Sequence, residues 1–476
     1  MMRRMHDERG IAMVTALLVS MVVLTLSIAL ASLSLHNSTA SGLDRKRLLA
    51  VNAAEAGIDV TFGMMQHPTA FAPLPCGTPV TGTLPSVTYS ATVDYYAVYP
   101  PAGSPMTCPL LSNPAGAVIT STGMSPPGSA RASIRKMQTL VRLAASGQGS
   151  SYLGAVYGGR SITITGSQGA TISGFAANDA NLNTPGPWTC GNNATIQGSV
   201  FAGSVSQSGG CDVSQDVWGN TTVGVSSGTS NPSTVGHDLI SSTSTIALSG
   251  TAHVYGNATS GTTCSGCTTG GGGRVSGSVT TNHVSPAPPV PPFPTMGYNP
   301  ADWTDKGFTI APTQPNCPAT KAFVLNPPTA TDYVVRTGCD LQFNNNETMN
   351  LQGDLAIVTD GNVKANNNFI INSLDGQPHT LFLFVPVTTY PSACTAGNMD
   401  FGNQVTGTPA GTITISVYTP CDVKFTNATG INGQIIGGRD ISITNDFRMG
   451  FAPIDIPGLV QTGGFNVDIA YFREIS

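Results

Sequence analysis

From Ile11 to Leu35 the chain is apolar at nearly every position, and no Asp, Glu, Lys or Arg occurs between Arg9 and Asp44. At about 1.5 Å per residue that run forms a helix of roughly 37 Å, enough to cross a bilayer with some tilt. Arg3, Arg4 and Arg9 precede it, which places the first ten residues on the cytoplasmic side and everything after the helix outside. Helical periodicity continues past the run. Leu48, Val51, Glu55, Ile58, Phe62 and Met65 recur every three or four positions, and all but Glu55 are apolar. Pro68 bounds the pattern. It predicts one helix from about Ile11 to about Gln66, its first half in lipid and its second half packed on a head domain. A secretory signal carries its small-residue cleavage site after a short apolar core. Here the small residue, Gly10, comes before the run.

Alternating positions follow. Tyr89–Tyr96, Ala117–Gly123 and Arg131–Leu143 read as three strands of a small antiparallel sheet, after a proline-rich turn segment at 68–84. From about Tyr152 the strands shorten. Ser161–Gly166, Ala170–Gly174, Ala194–Gly203, Thr245–Gly250 and Arg274–Val279 each offer one or two inward apolar residues closed by small turn residues. Strands this short bury no face alone, and stacking them as coils gives a continuous apolar column. The expected architecture is a right-handed parallel β-helix, with a β-sandwich as its rival. Asn344–Asn346 and Asn366–Asn368 are expected to stack as side-chain ladders at the coil corners. Pro286–Pro294 predicts a stiff extended segment, either a strap across the solenoid or a linker. Strand texture resumes through Tyr333–Val335, Leu355–Val358, Thr380–Val385, Ile413–Tyr418 and Gly433–Ile443. The fold class is therefore α+β: a long N-terminal helix with a small antiparallel sheet, then mainly β. The expected segments are a leader at 1–10, the helix at 11–67, a β head at 68–148, β-helix parts at 149–285 and 313–476, and the strap or linker at 286–312.

A short basic leader ending in Arg9-Gly10, an apolar helix starting at Ile11, and Ala53-Ala54-Glu55-Ala56-Gly57 some forty residues on resemble the N-terminus of the PilX-like minor pilins of type IV pili. The resemblance covers Arg9 to Gly57 well and extends loosely through Leu143. It implies cleavage by prepilin peptidase after Gly10, methylation of the new N-terminus at Ile11, and packing of the helix among other pilins. Major pilins carry a Glu where this chain has Thr15. That departure weakens the major-subunit reading more than the minor one.

Composition agrees with an exported protein. Charged residues make up 9% of the chain, against roughly 25% in an ordinary soluble domain. Net charge is −5 and the longest basic run is Arg45-Lys46-Arg47, which argues against a dedicated nucleic-acid patch. The ten cysteines are Cys76, Cys108, Cys190, Cys211, Cys264, Cys267, Cys317, Cys339, Cys394 and Cys421. All follow the membrane segment, so disulfides are expected. Taking neighbours in order gives 76–108, 190–211, 264–267, 317–339 and 394–421, although sequence alone sets no connectivity. Cys264-Ser265-Gly266-Cys267 lacks the βαβ context of a redox pair, and no second Cys or His pair makes it a zinc site.

Catalytic signals are poor. Gly224-Val225-Ser226-Ser227-Gly228 fits G-x-S-x-G, but no helix follows and His237 has no sequence-level claim to be its base. Asp212, Asp216, Asp238, Asp354, Asp360 and Asp375 are scattered, and Asp360-Gly361-Asn362 is too short for a calcium loop. Gly270–Gly273 lacks the ending of a phosphate loop. The expectation is therefore no enzyme, no cofactor and no metal site. The function expected is that of a minor pilin anchored in the inner membrane before assembly. Its solenoid would be displayed at the pilus tip for assembly or for adhesion to surface glycans. The alternatives are a minor pseudopilin of a type II secretion system, and a membrane-anchored adhesin or polysaccharide-active β-helix protein.

Overall fold

The computed structural model describes residues 7–66, 68, 74–108, 114–125, 132–148, 154–174, 178–228, 231–270, 272–328, 331–387, 393–427, 429–459 and 461–475. The chain forms two compact units. Unit 1 comprises Met1–Gln66, Pro75–Ala144 and Asn466–Ser476, and unit 2 comprises His67–Leu74 and Ala145–Phe465. A long helix followed by mainly β structure is what the sequence predicts at the coarse level.

Unit 1 is built on α1, one unbroken helix over Asp7–Gln66. Within its apolar stretch Ser20, Thr25, Ser27 and Ser32 donate their hydroxyls to carbonyls three or four residues back, at 2.8 to 2.9 Å. No polar side chain of these four is left facing an apolar surrounding unsatisfied. The sheet contains β1 (Val80–Leu84), β2 (Val87–Tyr96), β3 (Gly116–Ser125) and β4 (Ser133–Gln148), paired antiparallel in that order. β3 alternates so that Ala117, Ile119, Ser121 and Gly123 are buried. Ala50, Ala53, Ala54, Gly57, Ile58, Thr61 and Met65 form the buried side of α1.

The periodicity places Leu48, Val51, Glu55, Ile58, Phe62 and Met65 on the packing face. In the structure Ile58 and Met65 are buried there, Val51, Glu55 and Phe62 are half-buried and Leu48 is 61% exposed, while Ala50, Ala53, Ala54 and Gly57 supply the rest of the contact. β1 lies inside the segment expected to be only turns. The C-terminal strand, Gln461–Ile475, lies beside β4 as the fifth strand of this sheet. The segment 313–476 is therefore not one body: Asn466–Ser476 belongs to unit 1. Tyr471 accepts a hydrogen bond from Thr139 Oγ1 at 2.8 Å.

Unit 2 is a stack of parallel strands whose spatial order differs from chain order. One column of partners runs Thr309, Tyr333, Leu355, Leu381, Ile415, Gly433. Ile435, on the same strand as Gly433, pairs with Val156. The column then continues Leu182, Val200, Val217, Leu239, Ala258, Val279. The chain thus joins the stack at its middle, runs to one end near Val279, and restarts at the other end near Thr309. It leaves beside where it arrived, since Phe447 pairs with Ala170.

Inside the stack, successive levels place like on like. Phe401 stacks on Phe425 at 4.6 Å and Phe343 on Phe369 at 4.6 Å. Asn367 N donates to Asn345 Oδ1, Asn403 N to Asn367 Oδ1, and Asn368 Nδ2 to Asn346 Oδ1, so the Asn clusters form the expected ladders. A second apolar column faces outward through Val358, Phe384, Tyr418, Ile436 and Tyr157. The segment 286–308 covers it. Ser242, Tyr157 and Tyr418 donate hydroxyl hydrogen bonds to the carbonyls of Pro286, Pro291 and Pro294. The segment packs along this face in the manner of a strap. Trp303, in the short helix Pro300–Thr304, is buried against Phe308 and Phe382. That helix and Cys317–Leu325 were not foreseen among the strands.

Candidate functional site

The expected processing residues, Gly10 and Ile11, lie in α1, and residues 1–6 of the leader fall outside the described residues. From Met13 to Leu35 every large apolar side chain of α1 is at least 52% exposed. α1 is the one helix among the described residues long and apolar enough to cross a membrane. An apolar surface of this extent needs lipid or other chains to cover it.

The Ala53-Ala54-Glu55-Ala56 motif marks the place where α1 meets the sheet. Ala53 and Ala54 are buried, while Glu55 and Ala56 lie half-buried on its flank. Gly57 follows for a steric reason: a Cβ there would stand 2.4 Å from Ser121 Oγ and 2.9 Å from a ring carbon of Tyr89. The close approach of Gly123 on β3 to Ala50 and Ala54 was missed from sequence. The available signal was a glycine inside a strand pattern, which marks close backbone approach.

The ten cysteines form five disulfides in sequence order: 76–108, 190–211, 264–267, 317–339 and 394–421. Cys76–Cys108 ties unit 1, and Cys317–Cys339 pins the short helix Cys317–Leu325 to the stack. Cys264–Cys267 closes a turn around Gly266, whose φ is +72°.

Among the described residues the stack carries a groove of about 680 Å³. Its floor comes from Thr406, Gly430, Arg448 and Thr171, which are partners in register on four neighbouring strands. Gln168, Asn432 and Asp446 also line it. The Arg448 guanidinium bonds Asp446 Oδ1 at 3.1 Å. No expectation from sequence singled out these residues. They come together only because levels far apart in the chain are adjacent in the stack.

Ser226, of the G-x-S-x-G match, sits in the strand Val223–Ser226 and donates to Gln207 O at 3.4 Å. His237 is engaged elsewhere: its Nδ1 lies 2.9 Å from Asp216 Oδ1. Asp216 and Asp238, scattered in sequence, are brought together with His237, their ligand-type atoms within 4.8 Å of one another. Both carboxylates also serve the ladder, since Asp216 accepts from Asp238 N and Asp238 from Asn257 N. The hydrogen bond of its ring N–H to Asp216, then the charges of Asp216 and Asp238, hold the His237 imidazole above its ordinary range. The hint in the sequence was the spacing of 216 and 238, which equals that of the partners Val217 and Leu239. Elsewhere, the backbone N–H of Gln377, with His379 and Ser373, holds the Asp375 carboxyl down at about 2.

No family model matches this sequence, and no curated protein matches it. Among solved structures the chain is similar to the crystal structure of competence-associated pilin ComZ from Thermus thermophilus. The identity is 11%, over 90% of this chain and 97% of that one, with a TM-score of 0.25. At that identity and score the likeness is a similarity alone and identifies no family.

Proposed function

We propose that this chain is a minor pilin-like subunit of a type IV pilus, held in the inner membrane by α1 before assembly. The observation that carries the reading is α1 itself. One unbroken helix has an exposed apolar first half and a second half packed through small residues on an antiparallel sheet. An exposed half of this kind suits lipid first and the helices of neighbouring pilins afterwards. The reading includes cleavage by prepilin peptidase after Gly10 and methylation of Ile11. It takes the parallel stack as a right-handed β-helix, supported by its inward apolar columns and its corner ladders. A body this large fits the pilus tip better than a packed shaft, so a role in pilus assembly or adhesion follows. No catalytic role is part of the proposal.

The test is the N-terminal mass of the protein recovered from sheared surface filaments. A chain starting at methylated Ile11 is expected. An uncleaved start, with the protein absent from filaments, overturns the reading and leaves a membrane-anchored surface protein.

A further inference from the structure

The groove on the parallel stack has a floor that one missing side chain lowers. Thr406, Gly430, Arg448 and Thr171 follow one another in register, and three of the four carry polar side chains. Gly430 carries none, and a Cβ built there would meet nothing within 4 Å. Its φ lies outside the left-handed region, so neither conformation nor packing demands a glycine. What glycine preserves at this position is open space.

The chemistry around that space is balanced. Asp446 and Arg448 form an ion pair at 3.1 Å, so their charges cancel locally. The pair presents an acceptor and a donor side by side, and the Asn432 amide and the Thr171 hydroxyl add both kinds nearby. A polyanion would meet the Asp446 carboxylate. An apolar ligand would desolvate these polar groups without pairing them. A neutral chain of hydroxyls, each able to donate and accept, matches them best. The volume, about 680 Å³, falls within the roughly 300–1,000 Å³ of small-ligand sites.

We propose that this groove binds a segment of a neutral oligosaccharide, with Arg448 and Asp446 gripping neighbouring hydroxyls across the floor at Gly430. The inference deepens the adhesion reading above and rests on it for its biological setting.

The test uses the full-length chain in detergent on an array of neutral hexasaccharides (β-1,4-glucan, β-1,4-mannan and chitin series), with polygalacturonate as the charged control. Calorimetry then follows on the strongest neutral binder. Gly430→Trp fills the groove and Arg448→Ala removes the grip, and melting temperatures verify that both fold. At least one neutral series is expected to bind, with each variant weakening it tenfold or more. Binding of polygalacturonate alone, binding of no neutral sugar, or full binding by Gly430→Trp overturns the proposal. If Gly430→Trp does not fold, an unchanged affinity in Arg448→Ala overturns it equally. The outcome is separate from the N-terminal mass: groove failure leaves a processed filament subunit standing, and an unprocessed chain that binds sugar through Gly430 sinks only the pilin reading.

Discussion

Gly123 of β3 lies so close under α1 that a Cβ on it would stand 2.0 Å from the carbonyl oxygen of Ala50. The obstacle is helix backbone, with Ala54 N next at 2.6 Å, and backbone yields little. Gly123→Ala should therefore destabilise unit 1 by about 1–3 kcal/mol, as overpacking does. Gly63→Ala supplies the control. It lies on α1 itself with nothing within 4 Å, and the change should be neutral or stabilise by up to about 1 kcal/mol. Thermal unfolding of the two variants checks both signs, and equal melting temperatures would contradict the close approach.

The strap should depend on its hydroxyl anchors. Tyr157→Phe and Tyr418→Phe each remove one hydrogen bond to a strap carbonyl, at 3.0 and 2.6 Å. Each should cost about 0.5–1.5 kcal/mol. Limited proteolysis of the double variant is expected to cut within 286–296 faster than in the parent chain. An unchanged cleavage rate would show that apolar cover alone holds the segment.

Cys317–Cys339 closes a loop with a sequence separation of 22. Replacing both cysteines by Ser should lower stability by about 2–4 kcal/mol. The loss should show first as fraying of the helix Cys317–Leu325, which hydrogen exchange of its amides would detect.

Acid and base should act on different sites. The His237 pKa is raised in the folded state by Asp216, so its contribution is full below its unfolded value and fades as pH rises through the folded one. The Asp375 carboxyl is depressed to about 2, so its contribution is present above its unfolded value and fades as pH falls toward 2. Nuclear magnetic resonance titration of the two side chains tests this. Asp216→Asn should lower the His237 midpoint, and a midpoint unmoved by that change would remove Asp216 as the cause.

Much of this fold is legible locally. The apolar run of α1, its termination before Pro68, and β2 to β4 follow from period and punctuation within a few residues. The packing face of α1 is not legible that way. Periodicity finds Ile58 and Met65 but also favours Leu48, whereas the close approach of Gly123 to the backbone of Ala50 and Ala54 draws small residues into the contact. The strand Gln461–Ile475 reads as a strand but not as a partner of β4, because alternation carries no information on pairing across so much intervening chain. Sequence sets no cysteine connectivity, and the register of the stack supplies a reason for part of the pairing. Cys190 and Cys211 are 21 apart, close to one step between paired strands such as Val217 and Leu239. The groove and the Asp216–His237–Asp238 cluster depend on the same steps, and they stay hidden until the register is known.

The chain arrives at Val156 and departs near Phe447, both in the middle of the stack, so the end levels at Val279 and Thr309 lie away from both crossing points. Levels can be gained or lost beyond Val279 or before Thr309 while the two crossing points stay in place. The strap alone records the change. Each added level lengthens its path by about 4.8 Å. At about 3.1 Å per residue of extended proline-rich chain, that asks for one or two more residues. Related chains with longer or shorter stacks should therefore differ together in their end levels and in the length of the segment between Thr280 and Thr309, while the strands around Val156 and Phe447 keep their register.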